Sequence, residues 1–425
     1  MTARATKFWG KAAAILLIAA GAAIAPACSG VGSGSAASGG TGGGGTGGGG
    51  TNPSNTTTVS VNPGPANAAN LMFVTVTVCV PASTTCQQIP NVLVDTGSVG
   101  LRLLASQVSV ALPQASAITG SPLGECVIFA DNSFAWGSVV TAQIQIAGEK
   151  ASSVPIQLIS PTGFPLAPDA PACNTGGVQV NTPAALGANG ILGVGLFLQD
   201  CGAACVQTAP MNPGIYFSCA SFNGTCAAVT VPLTAQVQNP VSQFTSDNNG
   251  VLISLPTVPA GGSATVSGSL IFGVGTQTDN ALGTAKVYNT DGSGNVIVAY
   301  KGTNYPSSFV DSGSNGIFFL DSPTSGLALC TVAVGFYCPT APTNFLTTVT
   351  GQNGTSTSVT FTISNAETLF STPGLSAFST LGGPLPLPSG LTGFDFGLPF
   401  FYGRPVFIAF ENSNTPGGAG PYYAF

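Results

Sequence analysis

An aspartate in the same Gly-Ser setting occurs twice in the chain, in segments more than two hundred positions apart. Residues 94–101 read VDTGSVGL, and residues 310–317 read VDSGSNGI. Each Asp follows an apolar run that is typical of a β-strand and precedes a turn that contains glycine. One such turn is a common way to end a strand. Two copies in matching settings predict two similar halves that pack so that Asp95 and Asp311 meet at their interface.

The composition favours strands and turns over helices. Gly occurs 58 times and Pro 32 times, and both residues interrupt helices and favour turns. Alternating segments such as NLMFVTVTVCV (residues 70–80) are typical of half-buried strands. Short helices are expected only around residues 101–110 and 322–330. We therefore predict an all-β fold with one Asp turn in each half.

The chain contains no histidine. This absence excludes Ser-His-Asp and Cys-His catalysis and every zinc site that needs a His ligand. No Cys-x-x-Cys pair is present, and we expect neither a metal nor a cofactor. With 8 basic residues, the chain has no basic face for nucleic acid. Acid–base chemistry near neutral or acidic pH must therefore come from carboxylates.

Two carboxyl groups within hydrogen-bonding distance cannot both ionise easily. They share a proton and titrate as a coupled pair, so that one serves as a base while the other serves as an acid. A protein without histidine can activate water in this way. Asp95 and Asp311 are therefore the predicted catalytic residues.

The sequence resembles the two-lobed, pepsin-like aspartic peptidases. Asp95-Thr96-Gly97-Ser98 and Asp311-Ser312-Gly313-Ser314 match the pair of Asp-[Ser/Thr]-Gly-[Ser/Thr] motifs of that family. Further segments resemble the family in the expected order, so that the likeness covers roughly residues 70–412; they are NGILGVG (189–195), GVLISLP (250–256), GSLIFGVG (268–275) and FDFGLPFFYGRPVFIAFEN (394–412). The leader and tether resemble a bacterial branch of secreted proteins and lipoproteins with this double motif.

The resemblance implies a bilobal pepsin-like fold, with two related β-barrel-like lobes and an active cleft between them. A water molecule would be held between Asp95 and Asp311, and the ionised member would take its proton while the other donates to the developing oxyanion. Glycines would let backbone N–H groups approach, hydroxyl side chains would brace the two turns, and serines would bind the outer carboxylate oxygens. These supporting residues are Thr96, Gly97, Ser98, Ser312, Gly313 and Ser314.

The likeness has departures that bear on the site. The hairpin VIFADNSFAWGSV (residues 127–139) carries Phe129 where the family has a flap Tyr, so we expect Phe129 to cover a substrate without donating a hydrogen bond. Trp136 either offers its N–H to substrate or packs, and packing is favoured. Arg102 either points at the dyad or outward, and outward is favoured. Three further carboxylates are expected in turns or on the surface: Asp131, Asp321 and Asp395.

The N-terminus is predicted to be a targeting segment. Basic residues precede the apolar run AAAILLIAAGAAIA (residues 12–25), which is short for a membrane span. We expect a signal peptide over 1–27 and lipidation of Cys28, with simple secretion as the alternative. Predicted localisation is therefore extracytoplasmic, anchored to a bacterial membrane, either the outer membrane or the cell surface. The remaining units are a Gly/Ser/Thr-rich tether (28–60), an N-terminal lobe (61–248) and a C-terminal lobe (249–425).

The cysteine count fits an oxidising compartment. The chain has 11 Cys, and setting Cys28 aside leaves an even number. Close spacing suggests four pairs and leaves one pair over, although spacing alone does not fix connectivity. The expected disulfides are Cys79–Cys86, Cys126–Cys173, Cys201–Cys205, Cys219–Cys226 and Cys330–Cys338.

Three functions remain open at the level of sequence. The favoured one is a monomeric aspartic endopeptidase that cleaves extended polypeptides with apolar side chains near the cut. The second is a pepsin-fold surface lipoprotein that binds polypeptide or glycan with weak or no catalysis. The third is a surface adhesin or structural β protein, which leaves the paired Asp turns unexplained.

Overall fold

The computed structural model describes residues 54–117, 120–168, 173, 177–220, 224–385 and 392–425. The predicted signal peptide and Cys28 lie outside these residues, as does most of the predicted tether. The first strand begins at Thr56 and buries Val59. Regular structure therefore starts a few residues before position 60, where the tether was expected to end.

Strands account for most of the regular structure. In chain order they are β1 (Thr56–Val61), β2 (Met72–Cys79), β3 (Cys86–Asp95), β4 (Val99–Leu104), β5 (Leu123–Ile128), β6 (Phe134–Ile146), β7 (Glu149–Ile159), β8 (Gly190–Val194), β9 (Tyr216–Cys219), β10 (Cys226–Ala228), β11 (Gly250–Ser254), β12 (Val266–Phe272), β13 (Val287–Asn289), β14 (Val296–Tyr300), β15 (Thr303–Val310), β16 (Ile317–Phe319), β17 (Thr343–Thr350), β18 (Ser356–Ile363), β19 (Gly382–Pro384), β20 (Asp395–Phe396), β21 (Pro405–Ala409), β22 (Asn414–Thr415), β23 (Gly418–Ala419) and β24 (Tyr422–Ala424).

Helices in the described residues are short, and none is long and apolar enough to cross a membrane. The predicted helix near 101–110 is instead the end of β4 followed by a 3-10 turn. The predicted helix near 322–330 is a single turn whose N-cap is Asp321, which accepts a hydrogen bond from Thr324 N. The α-helices are α1 (Pro183–Leu186), α2 (Ser322–Ser325) and α3 (Ala366–Phe370), and the 3-10 helices are Ala105–Gln107, Gly202–Val206, Leu233–Ala235, Pro240–Gln243 and Leu398–Phe400.

The described strands form a fifteen-stranded sheet, a seven-stranded sheet and a two-stranded ribbon. The large sheet runs in the order β10-β9-β5-β6-β7-β4-β8-β3-β2-β1-β12-β11-β21-β24-β13. The second sheet runs β18-β17-β14-β15-β20-β16-β19. Strands with one solvated face alternate, as in β14, whereas β8 is buried along its whole length.

The same local arrangement surrounds each Asp turn. In the first half, β8 runs parallel to β3, with Val94 opposite Leu192, and β4 returns antiparallel to β8. In the second half, β20 runs parallel to β15, with Val310 opposite Phe396, and β16 returns antiparallel to β20. This repeat gives the all-β, two-lobed, pepsin-like fold class that the sequence predicts.

Two glycines allow the chain to cross close behind the turns. A Cβ on Gly193, which follows Leu192 in β8, would lie 2.7 Å from the backbone of Val99. A Cβ on Gly397, just after β20, would lie 2.0 Å from the carbonyl oxygen of Gly316. Any larger residue would therefore push the crossing strand away from the turn and open the packing beneath the Asp.

Five disulfides join the expected pairs, the four that the spacing suggested and the one that was left over. Four of them close hairpins or tight loops, and Cys79–Cys86 directly links the paired ends of β2 and β3. Cys126–Cys173 spans 47 residues and fastens a loop onto β5 beneath Trp136. The others are Cys201–Cys205, Cys219–Cys226 and Cys330–Cys338.

Candidate active site

The two Asp turns meet at the interface between the halves, and both Asp95 and Asp311 are fully buried. The two carboxyl groups interact across the interface, and each influences the pKa of the other. A Cβ on Gly97 would lie 2.3 Å from Cγ of Asp311, and a Cβ on Gly313 would lie 2.6 Å from Oδ1 of Asp95. Each carboxyl group thus rests against the opposite turn, at a distance that only glycine permits.

Asp95 is surrounded by hydrogen-bond donors from its own turn. Its Oδ1 accepts from Gly97 N at 2.8 Å and from Ser98 N at 3.2 Å. Its Oδ2 accepts from the Ser98 hydroxyl. Three donors directed at one carboxyl group favour its ionised form.

Asp311 has a similar but poorer set of donors. Its Oδ1 accepts from Gly313 N at 2.8 Å. Its Oδ2 lies 3.1 Å from Ser314 Oγ, and that same hydroxyl lies 2.5 Å from Oδ2 of Asp395. Because a hydroxyl carries a single proton, Ser314 cannot donate to both carboxyl groups.

The residues after each Asp brace the two turns by exchanging hydrogen bonds. Thr96 Oγ1 donates to Val310 O at 3.2 Å and accepts from Ser312 N at 2.9 Å. Ser312 Oγ donates to Val94 O at 2.8 Å and accepts from Thr96 N at 3.1 Å. These four bonds fix the position of one carboxyl group relative to the other.

Burial is the largest influence on the pKa values of Asp95 and Asp311. It raises the pKa of Asp95 above its ordinary value, and the hydrogen bonds from Asp311, Ser98 and Gly97 offset part of that rise. Burial raises the pKa of Asp311 well above its ordinary value, and the electrostatic effect of the neighbouring Asp95 and Asp395 carboxyl groups adds to the rise. The pair therefore retains a proton at pH values where an exposed Asp is ionised, and the donors around Asp95 make it the ionised member.

The structure corrects the expectation for Asp395. Asp395 was expected in a turn or on the surface, yet it is 1% exposed, on β20, with its Oδ2 against Ser314. The reason is that β20 crosses behind the second Asp turn, where neither of its faces reaches solvent. By register Asp395 occupies the place that Ile191 holds in the first half. Comparing FDFG (394–397) with GILG (190–193) would have revealed this equivalence.

The structure also corrects the expectation for Arg102, which points neither to solvent nor to the dyad. It is 2% exposed, and its Nη2 lies 2.7 Å from Oε1 of Glu125 and 2.9 Å from Oδ2 of Asp200. Tyr216 Oη donates to the other oxygen of Asp200 at 2.7 Å. This arrangement forms a buried ionic cluster of Arg102, Glu125, Asp200 and Tyr216 inside the first half.

The two aromatic residues assigned to the flap are both packed. Trp136 is 2% exposed, donates its N–H to Pro165 O at 2.7 Å, and packs edge-to-face against Phe217. That placement is the packing alternative, because its donor is already used. Phe129 lies at the turn between β5 and β6 but is 3% exposed, in an apolar cluster with Leu104. The turn carboxylate Asp131 accepts from Ser133 N and Oγ, as expected of a turn residue.

One group of potential metal ligands occurs among the described residues, at Cys330, Cys338 and Glu367. Both sulfurs are joined in a disulfide. Glu367 accepts hydrogen bonds from the backbone N–H groups of Thr331 and Val332. These ligand atoms are already used, so the group does not fit a metal ion.

Comparison with known proteins assigns a family. Residues 51–425 match the family described as "Protein of unknown function (DUF3443)". The chain belongs to the DUF3443 family. No curated protein matches it. Among solved structures, it is similar to the aspartic proteinase from Irpex lacteus, with a TM-score of 0.48, 17% sequence identity, and coverage of 87% of this chain and 96% of that chain.

Proposed function

We propose that this DUF3443 chain is a pepsin-like aspartic endopeptidase in which Asp95 and Asp311 activate water. The observation that carries the proposal is the pair of buried carboxyl groups, each against the glycine of the opposite turn, held by reciprocal bonds at Thr96 and Ser312. A chain without histidine needs such a pair for acid–base chemistry near neutral pH. The pair uses two of the 14 acidic residues in the chain.

The reaction follows from the different donor sets around the two groups. Asp95, the ionised member, takes a proton from water as the water oxygen bonds to the peptide carbonyl carbon. Asp311 gives its proton to the carbonyl oxygen, which yields a neutral tetrahedral diol. Collapse then breaks the C–N bond: Asp95 returns its proton to the amine nitrogen, and Asp311 recovers one from a diol hydroxyl. The products are a carboxylic acid and an amine, and the dyad regains its starting state.

Substrate access requires the β5–β6 hairpin to move. Both Asp residues are fully buried, and Ala130 at the hairpin turn packs against an apolar cluster that contains Phe318 and Phe378 of the second half. An extended polypeptide would take the place of that contact. Apolar side chains on the substrate would then replace the apolar packing that the hairpin gives up.

The proposal places the enzyme outside the cytoplasm of a bacterium, as a monomer held on a membrane by lipidation of Cys28. Five disulfides in the described residues support an oxidising compartment. The test of the anchor is mass spectrometry of the exported N-terminus in wild type and in Cys28→Ala. Release of wild type into the medium without lipid would contradict it.

The proteolytic function is tested with the full chain expressed in an exporting bacterial host. We expect cleavage of an unfolded protein somewhere between about pH 3 and pH 7, and loss of cleavage in Asp95→Asn and Asp311→Asn. Asp321 is an exposed carboxylate in the same half as Asp311. Asp321→Asn is therefore the matched control and should cleave like wild type. A statine-type transition-state mimic should inhibit. Equal cleavage by wild type and either dyad variant would reject the proposal.

A second function is favoured by one observation. Phe129 stands in the flap without a hydroxyl and is buried rather than presented to a substrate. A protein of this design could bind an extended polypeptide or glycan between its halves without cutting it. Binding of an unfolded polypeptide or a glycan, with no cleavage across the pH range, would favour this alternative.

A further inference from the structure

We propose that Asp395 is a positioning residue for the dyad: as a neutral acid it donates to Ser314, which directs the Ser314 hydroxyl proton onto Asp311. The inference rests on the proposed function, because it concerns the same pair of carboxyl groups. No motif marks Asp395, and the corresponding place in the first half is occupied by Ile191.

The argument begins with the single proton of Ser314. Its Oγ lies 2.5 Å from Oδ2 of Asp395 and 3.1 Å from Oδ2 of Asp311. Both contacts are hydrogen bonds only if Ser314 donates to one carboxyl group and accepts from the other. One of the two carboxyl oxygens facing Ser314 must therefore carry a proton.

Asp395 is the better place for that proton. It is 1% exposed, and no ion pair among the described residues involves it. Its Oδ1 is buried without a hydrogen-bond partner, which is costly for an ionised carboxylate and much less so for a neutral acid. Asp311, by contrast, has a backbone donor from Gly313 on its other oxygen. The chain of donors thus runs from Asp395 through Ser314 to Asp311.

The groups facing Asp395 reinforce its neutral state. Asp95 and Asp311 approach it from the ends of β3 and β15, and Tyr423 approaches from β24 with its hydroxyl donating to Gly294 O. Its direct register partners, Phe309 and Phe318, are apolar. Burial raises the pKa of Asp395 well above its ordinary value, the contact with Ser314 offsets part of that rise, and the charge of Asp95 adds to it.

The basic residues of the second half do not neutralise this carboxyl group. Arg404 lies over the ring of Phe400 and donates to its carbonyl oxygen. Lys286 and Lys301 lie at the surface. Arg102 belongs to the buried ionic cluster in the first half. Protonation is therefore the remaining way to hold Asp395 at this depth.

The consequence concerns the step in which Asp311 gives up its proton. In the first half, Ser98 donates to Asp95, and none of the carboxyl groups in the described part of the chain competes for its hydroxyl. In the second half, a hydroxyl that points firmly at Asp311 stabilises the carboxylate that forms during attack. Asp395 provides that direction, and so makes Asp311 a stronger acid than burial alone would allow.

The test uses the full chain with Asp395→Asn, Asp395→Ala and, to match the first half, Asp395→Ile. Two properties are measured: the pH profile of kcat/KM, and the titration of the Asp311 carboxyl carbon by ¹³C NMR, assigned by its loss in Asp311→Asn. The Asn side chain retains an N–H donor toward Ser314. In this variant, the alkaline limb of the kcat/KM profile and the midpoint of the Asp311 titration should therefore stay within about 0.3 pH unit of wild type. Asp321→Asn is the surface control.

Ala and Ile remove the donor. We expect both to move the alkaline limb and the Asp311 midpoint to higher pH by about one unit, and to lower kcat about tenfold with little change in KM. Two apolar variants of different size separate this effect from a packing defect, and circular dichroism identifies any variant that has not folded.

Two results would overturn the inference. A shift to lower pH in all three variants would mean that Asp395 is ionised and acts by repulsion. No shift in Ala or Ile would mean that Asp395 only fills space. A wild type that cleaves nothing, but whose Asp311 titration still responds as expected, would reject the proposed function and leave the positioning role intact.

Discussion

Thr96 and Ser312 each donate to the carbonyl oxygen that precedes the other half's Asp, and each accepts the other's backbone N–H. All four groups are buried between the halves. Because neither half can satisfy them alone, these bonds couple the geometry of the two carboxyl groups to the docking of the halves.

Thr96→Val tests that coupling. The change keeps the shape of the side chain but leaves Ser312 N and Val310 O buried without partners, so we expect a loss of about 2 to 4 kcal/mol in the free energy of unfolding. Thr96→Ser keeps the hydroxyl and should lose no more than about 1 kcal/mol. Urea unfolding measures both. Equal losses in the two variants would show that the methyl group, rather than the hydrogen bonds, matters here.

The stability of the fold should rise as the pH falls from neutral toward about 4. Burial raises the pKa of Asp95, Asp311, Asp395 and Asp200 in the folded chain. The folded state therefore holds more protons than the unfolded state between the unfolded Asp pKa of about 3.9 and the raised values. This contribution is complete below that unfolded value and is lost as pH rises through the folded values. There is no histidine to oppose the trend.

Thermal unfolding at a series of pH values measures this dependence. Asp395→Asn should flatten this dependence, because it removes one of the carboxyl groups whose pKa is raised in the folded chain. A midpoint that stays level or rises from about pH 4 to pH 7 would contradict the protonation of these carboxyl groups.

Arg102 should be essential for the first half. Arg102→Met leaves Glu125 and Asp200 buried without a cation, and we expect a loss of about 3 to 5 kcal/mol in the free energy of unfolding. Lys150→Met, at an exposed position on β7, is the matched control and should stay within about 0.5 kcal/mol of wild type. If Arg102→Met is as stable as the control, the buried ionic cluster does not depend on its charge.

The disulfides should differ in how much they contribute to the free energy of unfolding. Cys126–Cys173 closes a separation of 47 residues and Cys201–Cys205 a separation of 4. The loop-entropy relation therefore predicts that replacing the first pair by alanine costs about 2 kcal/mol more than replacing the second. Chemical unfolding of the two double variants measures the difference. The same or the reverse order would mean that local packing outweighs loop closure.

The pair of Asp turns could be predicted from sequence because each motif is local, and because the two copies constrain one another. The strands that lead into them were equally visible from their apolar runs. Four of the five disulfide pairs were visible from their short spacings, and Cys126–Cys173 was the pair left over. For the motifs, the strands and those four pairs, the deciding signal lies within about ten residues, where chain geometry limits the choices.

The predicted locations of Arg102 and Asp395 were wrong because both locations depend on residues far away in the sequence. Arg102 is paired with residues 23 and 98 positions away, and no local pattern reveals such partners. Asp395 follows a Phe and precedes another, which in a half-buried strand would put the Asp on a solvated face. Both faces of β20 are covered, so the alternation of Phe and Asp does not predict which side chain is exposed. Only the comparison between the halves, with Ile191 as the counterpart, could have indicated burial.

The distance along the chain between Asp311 and the strand behind it also bears on the order of synthesis. The crossing strand β20 supplies Asp395, which lies 81 residues after Ser314. Strand β21, which pairs with β11, and strand β24, which pairs with β21, come later still. A chain emerging from the ribosome therefore carries both Asp turns long before either sheet is complete. The buried geometry of the pair can form only once this late segment has been synthesised.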